Sequence, residues 1–508
     1  MAQLLDRPVV LDGASLTPDA VASIARGGAP VELDQRARER NEAARRALDA
    51  IVARGDELYG VTTGVGALRG HRLPEDHRAS HQLQLLRAHA CGAGPPLQTE
   101  RVRAAMATRA NQIGAGGAGV APELLDALVA VLNAGLVPFT RELGSLGTGD
   151  LTTLSDIALV LLGEGEVWRG DELVGAGQAL REAGIALGRL GSRDGLGFMS
   201  SNAVSVGHAA LLVVDARALL ETWLTVAALS FEAAAADPSV LDPRLHAGRH
   251  QPGQMAVAAR LRELLAGLEG RAREQATPMV QDPYPFRALP QVDGVVHDAL
   301  AVLEETVVHE LNFAGENALV VADEELALPN GNPHAGPLAN AIDGLRTALA
   351  QSAALIAARV SALLDTSLTG LPPFLALNPG PDSGALVLEY TAHAAAAEVR
   401  SLVTPVAAQT VSVARGVESH ASLAPIAARR AHEALVALRV LVATELVASV
   451  RAVRLARNEP VGAGSRALYE AAAARLDADM RDRPLHPDIE AARLLVEGWP
   501  NCRTRSGS

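Results

Sequence analysis

The stretch AVSVGHAALLVVDARALLETWLTVAALSFEAAA, residues 203–235, decides the fold class of this chain. It is apolar over most of its length, and its charged residues recur at helical intervals, a pattern that predicts one long helix. Three similar blocks follow at residues 294–311, 337–365 and 422–457. Polar segments rich in Pro and Gly join them, and no fixed-period repeat is visible. The pattern therefore predicts a helical bundle rather than a solenoid.

Composition supports the same fold class. Hydrophobic residues make up 49% of the 508 residues and aromatic residues only 3%, so the apolar content is Ala, Val and Leu. These residues are typical of long, closely packed helices. We predict an all-α fold with a mixed, loop-rich N-terminal part at 1–200, a central bundle of long helices at 201–485, and a C-terminal tail at 486–508.

Charge and terminal sequence exclude several partners. The net charge of -13 and the pI near 5.6 disfavour nucleic acid, because that affinity rests on cation–phosphate contacts. The start MAQLLDRPVV does not resemble a targeting signal, and we expect no run long enough to span a bilayer. Two cysteines, Cys91 and Cys502, are too few for a disulfide framework. A cytoplasmic protein without membrane or nucleic-acid partners is predicted.

Metal and lysine chemistry are also disfavoured. All 45 cationic residues are Arg, so a lysine Schiff base to pyridoxal phosphate and a P-loop lysine are both impossible. His246 and His250 have a spacing that suits a metal only on a helix, and the surrounding Pro and Gly residues favour a loop. We therefore predict no metal and no pyridoxal phosphate. Any electrophile for amine chemistry must come from another source.

The segment GSLGTGDLTTLSDIALVLLGEG, residues 144–165, offers two interpretations. In the first, Thr148 caps a helix, Asp150 places a negative charge in its first turn, and the glycines make the turn. In the second, the glycines permit close backbone approach, so that Gly147, Thr148 and Gly149 close a five-membered ring. Loss of water from Thr148 would then leave an alkene that acts as an electrophile.

The order of motifs resembles that of the aromatic amino acid ammonia-lyases. In that family, GSxGASGDLxPLxH forms the 4-methylideneimidazole-5-one (MIO) group from its Ala-Ser-Gly triad. The other matching segments are YGVTTGVG (59–66), LLRAHACGAG (85–94), RANQIGAGGAGV (109–120), VQDPYPFRALPQVDG (280–294), GENALV (315–320), NGNPHAGP (330–337) and GVESHASL (416–423). The histidine ammonia-lyase branch is the most similar in these motifs.

The resemblance implies roles for individual residues. Tyr59 would be the acid/base residue near the substrate's β-carbon, and Arg287, beside Tyr284, would bind the substrate carboxylate as a planar fork. The position of Asn317 implies contact with substrate or prosthetic group. An acid at Glu418, together with His89, implies an imidazole-bearing or other polar substrate. Each of these side chains also has a purely structural interpretation as a packed or hydrogen-bonded group.

The departures from the family pattern cluster around the same loop. GSLGTGDL is one residue shorter than the family's GSVGASGDL, and Thr148 replaces the serine. Either the loop cannot cyclise, or Thr dehydration forms an ethylidene whose methyl group hinders attack. Five further positions differ from the family residue: Ser200 for the Asn that binds the prosthetic group, with Asn202 two residues later, and Pro333, Glu389, Val417 and Ser419.

These observations predict a carbon–nitrogen lyase on an ammonia-lyase/fumarase-like fold. The leading hypothesis is ammonia elimination from an L-α-amino acid, histidine-like before phenylalanine- or tyrosine-like, in a homotetramer with composite active sites. One alternative is a divergent member, either an aminomutase or a lyase/cyclase without the ring. Another is a non-catalytic paralogue that binds a small ligand or a sister subunit.

Overall fold

The structure is a computed structural model that describes residues 7–268 and 281–503. It is 61% helical, which confirms the predicted all-α class. The helices are α1 (Pro18–Gly27), α2 (Gln35–Ala53), α3 (Glu75–His89), α4 (Thr99–Gly114), α5 (Pro122–Asn133), α6 (Leu151–Leu161), α7 (Ala176–Glu182), α8 (Asp194–Met199), α9 (Ala203–Ala233), α10 (Pro243–Ala247), α11 (Pro252–Leu264), α12 (Tyr284–Arg287), α13 (Leu289–Leu311), α14 (Gly336–Leu364), α15 (Thr366–Thr369), α16 (Leu386–Ser401), α17 (Ala424–Ala456), α18 (Ala463–Ala473) and α19 (His486–Arg503).

Nine short strands accompany the helices in the described part of the chain. They are β1 (Val9–Leu11), β2 (Val31–Leu33), β3 (Ala93–Pro96), β4 (Val137–Pro138), β5 (Arg141–Leu143), β6 (Glu166–Arg169), β7 (Glu172–Gly175), β8 (Leu319–Val321) and β9 (Leu326–Leu328). β1 and β2 pair in parallel, with Val9 opposite Val31. The pairs β3–β5 and β8–β9 and the three-stranded sheet β4–β6–β7 are antiparallel.

The chain forms two compact units, each assembled from three segments. Unit 1 comprises Met1–Val214, Leu303–Ile342 and Pro405–Arg429, and unit 2 comprises Asp215–Val302, Asp343–Thr404 and Arg430–Ser508. All the described strands belong to unit 1. The sequence regions predicted to end near residues 200 and 485 were defined by sequence pattern, whereas these two units are defined by contacts. The predicted division into regions therefore stays a prediction.

The four longest helices, α9, α13, α14 and α17, match the four apolar blocks of the sequence. Within unit 2 they share a polar network buried in an otherwise apolar core. The Arg359 guanidinium donates from Nε to Glu445 Oε1 at 2.7 Å, and the Ser230 hydroxyl donates to the same carboxylate oxygen at 2.7 Å. Ser352 donates to Asp293 Oδ1 at 2.6 Å. These side chains are fully buried, so the network ties the four helices together.

Two stretches are more apolar than we expected. Asp194–Ala233 and Gly336–Leu364 are long and apolar enough, by length and composition alone, to cross a membrane. The expectation that no run approaches that length is therefore wrong. Their most apolar windows are 78% and 67% buried within the protein, which is typical of core helices.

The C-terminal region also differs from the expected tail. His486–Arg503 is helix α19, and Ala492, Leu495 and Val496 on it are buried. Apolar side chains at these spacings lie on one helical face, so packing rather than fraying accounts for the helix. Residues 504–508 lie outside the described part of the chain.

His246 has a structural role. It lies on helix α10 rather than in the predicted loop, and only 2% of it is exposed. Its ring nitrogens face the Val240 carbonyl oxygen at 3.0 Å and the Gln254 amide at 2.9 Å. Burial lowers the pKa of His246, so the ring is held neutral between these partners. Among the described residues, no group of three His, Cys, Asp or Glu side chains could hold a metal ion.

Asp293 makes the stability of unit 2 depend on pH. Burial raises the pKa of Asp293 from 3.8 to about 6, against the opposing effects of Arg359 and Ser352. Because the pKa of Asp293 is raised in the folded state, the stabilisation that its protonated form contributes is complete below pH about 4. It is lost as the pH rises through about 6, which lowers the free energy of unfolding by about 3 kcal/mol.

We predict that Asp293→Asn removes most of this pH dependence. Thermal or urea unfolding of wild type and variant across this pH range measures it, with Glu305→Gln, at an exposed position of helix α13, as the matched control. A variant whose unfolding keeps the wild-type pH profile would contradict the assignment.

Candidate functional site

The glycine-rich loop between β5 and α6 has a tightly constrained backbone. Gly147 and Gly149 have φ angles of 78° and 107°, in the region that favours glycine. A Cβ at Gly147 would lie 2.1 Å from the Ser422 hydroxyl and 3.1 Å from the Ala424 nitrogen. No residue other than glycine fits at Gly147 without moving its neighbours.

Two distant segments, one containing Ala335 and one containing Leu423, bind the loop through its carbonyl groups. The Ser422 hydroxyl donates to the Gly147 oxygen at 2.8 Å, and the Ala335 N–H donates to the same oxygen at 3.3 Å. The Leu423 N–H donates to the Leu146 oxygen at 2.8 Å. Because Ala335 and Leu423 immediately precede helices α14 and α17, positively polarised helix N-termini face the loop.

Thr148 is not the helix cap that one interpretation of the sequence proposed. Asp150 occupies the N-cap of α6 and makes no side-chain capping bond there. The Thr148 hydroxyl instead donates to Glu418 Oε2 at 2.8 Å. Glu418 is held in turn by the Val413 N–H, which donates to its carbonyl oxygen at 2.9 Å. The structure thus brings together two predicted site residues that are far apart in sequence.

Asp150 is a site residue whose role sequence reasoning missed. Its carboxylate accepts the Ser205 N–H at 2.7 Å and the Ser205 hydroxyl at 3.0 Å, so it caps helix α9 rather than α6. Burial raises the pKa of Asp150 from 3.8 to about 6, while the hydrogen bonds from Ser205 and Val204 act against that rise. The carboxyl directly after Gly149 is therefore fully buried, and its pKa is raised toward neutral pH.

Asn202 holds the other side of the loop. The Gly149 N–H donates to Asn202 Oδ1 at 3.1 Å, and Asn202 Nδ2 donates to the Pro333 carbonyl oxygen at 2.6 Å. Ser200, at the position that the family gives to Asn, instead faces the neighbouring loop, where the Asn317 N–H lies 3.5 Å from its hydroxyl. Asn202 therefore makes the loop contact that Ser200 does not.

A buried ion pair, Arg109 with Glu316, positions the segments that carry Ser200 and Asn317. Arg109 Nη1 donates to Glu316 Oε1 at 2.8 Å, and Arg109 Nε donates to the Phe198 carbonyl oxygen at 2.8 Å. Phe198 lies two residues before Ser200, and Glu316 lies directly before Asn317, so one guanidinium fixes both segments. Both charged side chains are almost completely buried, and removing one partner of such a pair typically costs about 3–5 kcal/mol.

Tyr59 lies in the same unit. Its phenol oxygen accepts the Gly66 N–H at 2.7 Å, an interaction that stabilises negative charge on that oxygen. Gly66 begins a single turn, Gly66–Leu68, that packs against Ala414–Gly416, just before Glu418. The buried Gln82 side chain links the Gly60 carbonyl, at 2.8 Å, to the Leu196 N–H, at 3.0 Å.

His89 is the last residue of α3 and is partly buried. Its Nδ1 bonds the Leu85 carbonyl oxygen at 2.8 Å, which leaves Nε2 as the acceptor of the neutral ring.

Arg287 and Tyr284 belong to unit 2. The Arg287 guanidinium carbon lies 4.5 Å from the centre of the Tyr284 ring, and Arg287 Nε donates to the Asp282 carbonyl oxygen at 3.2 Å. Tyr284 is 64% exposed. Among the described residues, the terminal nitrogens of Arg287 have no hydrogen-bond partner.

Comparison with known proteins defines the class. The sequence pattern of the family "Aromatic amino acid lyase" matches residues 16–474. A histidine ammonia-lyase from Streptomyces avermitilis is 38% identical over 494 residues, which are 96% of each chain. The ergothioneine degrading enzyme ergothionase from Treponema denticola superposes with a TM-score of 0.92 at 28% identity, covering 97% of this chain and 99% of that one. A tyrosine aminomutase from Streptomyces globisporus gives 0.92 at 30% identity, covering 98% of each.

The chain is a carbon–nitrogen lyase with the mainly helical ammonia-lyase fold. It belongs to the aromatic amino acid lyase family. The family and enzyme class predicted from the motifs are therefore confirmed. The histidine ammonia-lyases among its relatives support elimination of ammonia from an amino acid, and apart from the self-formed MIO group the family uses no cofactor.

The crowding at Gly147 yields a direct prediction. Gly147→Ala places a methyl group against Ser422 in a strained backbone conformation, and we expect it to cost about 2–5 kcal/mol and to displace the loop. Thermal unfolding and turnover measure the two effects. Gly175→Ala is the matched control, because its Cβ would meet open space and its φ is -63°. Full activity in Gly147→Ala would contradict the described loop geometry.

Proposed function

We propose that this lyase eliminates ammonia from an L-α-amino acid with an imidazole side chain, and histidine is the first candidate. The observation that carries the proposal is Glu418, whose carboxylate is fixed beside the glycine-rich loop by the Thr148 hydroxyl. A partly buried carboxylate at that place complements an imidazole N–H by a charge-assisted hydrogen bond. The histidine ammonia-lyases among the relatives support the same substrate class.

Several contacts of the loop support ring closure of Gly147, Thr148 and Gly149. The Ser422 hydroxyl and the Ala335 N–H both donate to the Gly147 carbonyl oxygen. They polarise this carbonyl and make its carbon more electrophilic. The Gly149 N–H is bonded to Asn202 Oδ1, which raises electron density on the attacking nitrogen. Glu418 and Asp150 are carboxyl groups suited to proton transfer during loss of water. These residues fit an MIO-type group, which supplies an electrophile that makes the substrate amine a better leaving group.

Other residues bind and deprotonate the substrate in this proposal. Tyr59 removes a proton from the β-carbon, with the Gly66 N–H stabilising the phenolate. Arg287 binds the α-carboxylate through its terminal nitrogens, beside Tyr284. His89 and Asn317 contact the polar parts of the substrate. We further propose a cytoplasmic homotetramer with composite sites, the arrangement that the motif resemblance implies.

A second reaction is favoured by the short loop and Thr148. If the loop stays uncyclised, an ordinary amine is a poor leaving group, whereas a quaternary ammonium group leaves without an electrophile. Ergothioneine, the compound in the name of the Treponema denticola enzyme, is a trimethylammonium betaine with an imidazole-derived ring. In this alternative, Tyr59 performs the same proton removal, and trimethylamine is released in place of ammonia.

Substitutions of Thr148 distinguish the two reactions. Thr148→Ser should retain or raise ammonia release from L-histidine, because serine lacks the methyl that hinders attack, whereas Thr148→Ala should abolish that release by removing the hydroxyl. Release of trimethylamine from ergothioneine should survive both substitutions if the second reaction operates. The two amines and any β-amino acid product are measured in parallel. Undiminished ammonia release by Thr148→Ala would exclude the loop as the source of the electrophile.

Tyr59→Phe tests the base. We expect kcat to fall about 10²- to 10⁴-fold with either substrate, because one positioned base contributes that much. The KM should change little, since the phenol acts on a proton that is lost only in the transition state. Tyr469→Phe, on helix α18 in unit 2, is the control and keeps wild-type turnover. Wild-type kcat in Tyr59→Phe would rule out the assignment.

A further inference from the structure

The two segments that bind the glycine-rich loop are joined to each other by a histidine pair. His334 Nε2 lies 2.9 Å from His420 Nδ1, and the two rings are 5.0 Å apart, centre to centre, at an angle of 47°. A hydrogen bond of this kind needs one ring as donor and the other as acceptor, so at least one ring is neutral.

The neighbours of each histidine hold the loop. Pro333 accepts from Asn202, which binds Gly149, and Ala335 donates to the Gly147 oxygen. On the other segment, Glu418 accepts from Thr148, and Ser422 donates to the Gly147 oxygen. His334 therefore lies between two loop contacts on one segment, and His420 lies between two loop contacts on the other.

From this arrangement we infer that His334 and His420 are positioning residues that lock the two segments at the separation the loop requires. Both segments donate to one atom, the Gly147 oxygen, so their relative position decides whether that oxygen keeps both donors. The Ala335 N–H is already 3.3 Å from it, close to the limit for a hydrogen bond. A small separation of the segments would remove this donor and leave Ser422 alone. The role in catalysis rests on the proposed function, whereas the mechanical coupling does not.

The coupling predicts an effect that a local contact would not produce. In His334→Leu, the amide of Leu423, on the opposite segment, should exchange its hydrogen faster, by about 5-fold, together with that of Ala335. His420→Leu should accelerate exchange at Ala335 in the same way. Both amides belong to buried residues bonded to loop carbonyls, so their exchange reports the lock directly.

Conservative substitutions separate the hydrogen bond from general packing. His334→Gln places an amide near the position of Nε2, and His420→Asn places an acceptor near that of Nδ1, so each should keep exchange within about twofold of wild type. His71→Leu, another exposed histidine of unit 1, is the control and should leave both amides unchanged.

Hydrogen exchange with mass spectrometry on the full-length protein, alongside turnover, decides the matter. Faster exchange on the opposite segment in both leucine variants, with kcat lowered and KM unchanged, supports the proposal. Unchanged exchange at Leu423 in His334→Leu overturns it, whatever happens to turnover. If exchange responds as predicted but neither L-histidine nor ergothioneine is consumed by wild type, the coupling stands and the proposed function fails.

Discussion

The absence of a side chain at Gly147 is the constraint on which the candidate site depends. Only a glycine lets the Ser422 hydroxyl and the start of helix α17 approach the loop from one side while Ala335 approaches the same carbonyl oxygen. This convergence fixes the Gly147 carbonyl and, through it, the direction of Thr148 toward Glu418. The family's triad begins with alanine, whereas a Cβ at Gly147 in this chain would clash with Ser422.

Buried charged side chains hold the segments that surround the loop. Asp150 caps helix α9 from a fully buried position, and the Arg109–Glu316 pair fixes the segments that carry Ser200 and Asn317. Burying charge is costly unless each group is hydrogen-bonded, and these groups are bonded mostly to backbone atoms of the site. The buried charges therefore favour the one arrangement of the site segments in which all their hydrogen bonds form, and they add little to the stability of the fold. Unit 2 has a comparable network around Arg359 and Glu445.

Sequence reasoning predicted the elements better than the contacts. Apolar periodicity located the four long helices, because a helix with buried faces leaves a local pattern. The motifs also identified Thr148 and Glu418 separately, but nothing local indicated that residues 270 positions apart are hydrogen-bonded. The capping of helix α9 by Asp150 was missed for the same reason, since a carboxylate beside two helix starts can cap either. Ser422 and Ala335 were missed because one is an ordinary serine and the other acts through its backbone. Helix α19 was predicted to be a tail because Gly498 and Pro500, two residues that disfavour helices, lie in its last turns.

We propose that Gly147, Thr148 and Gly149 form the reactive group of this enzyme despite the shortened loop. The mass of the intact, purified protein is the decisive measurement, because cyclisation and dehydration remove two molecules of water from the chain. We predict a mass lower than the sequence mass by those two waters, localised to the peptide that contains Thr148. An unmodified mass in protein that releases ammonia from L-histidine would contradict it.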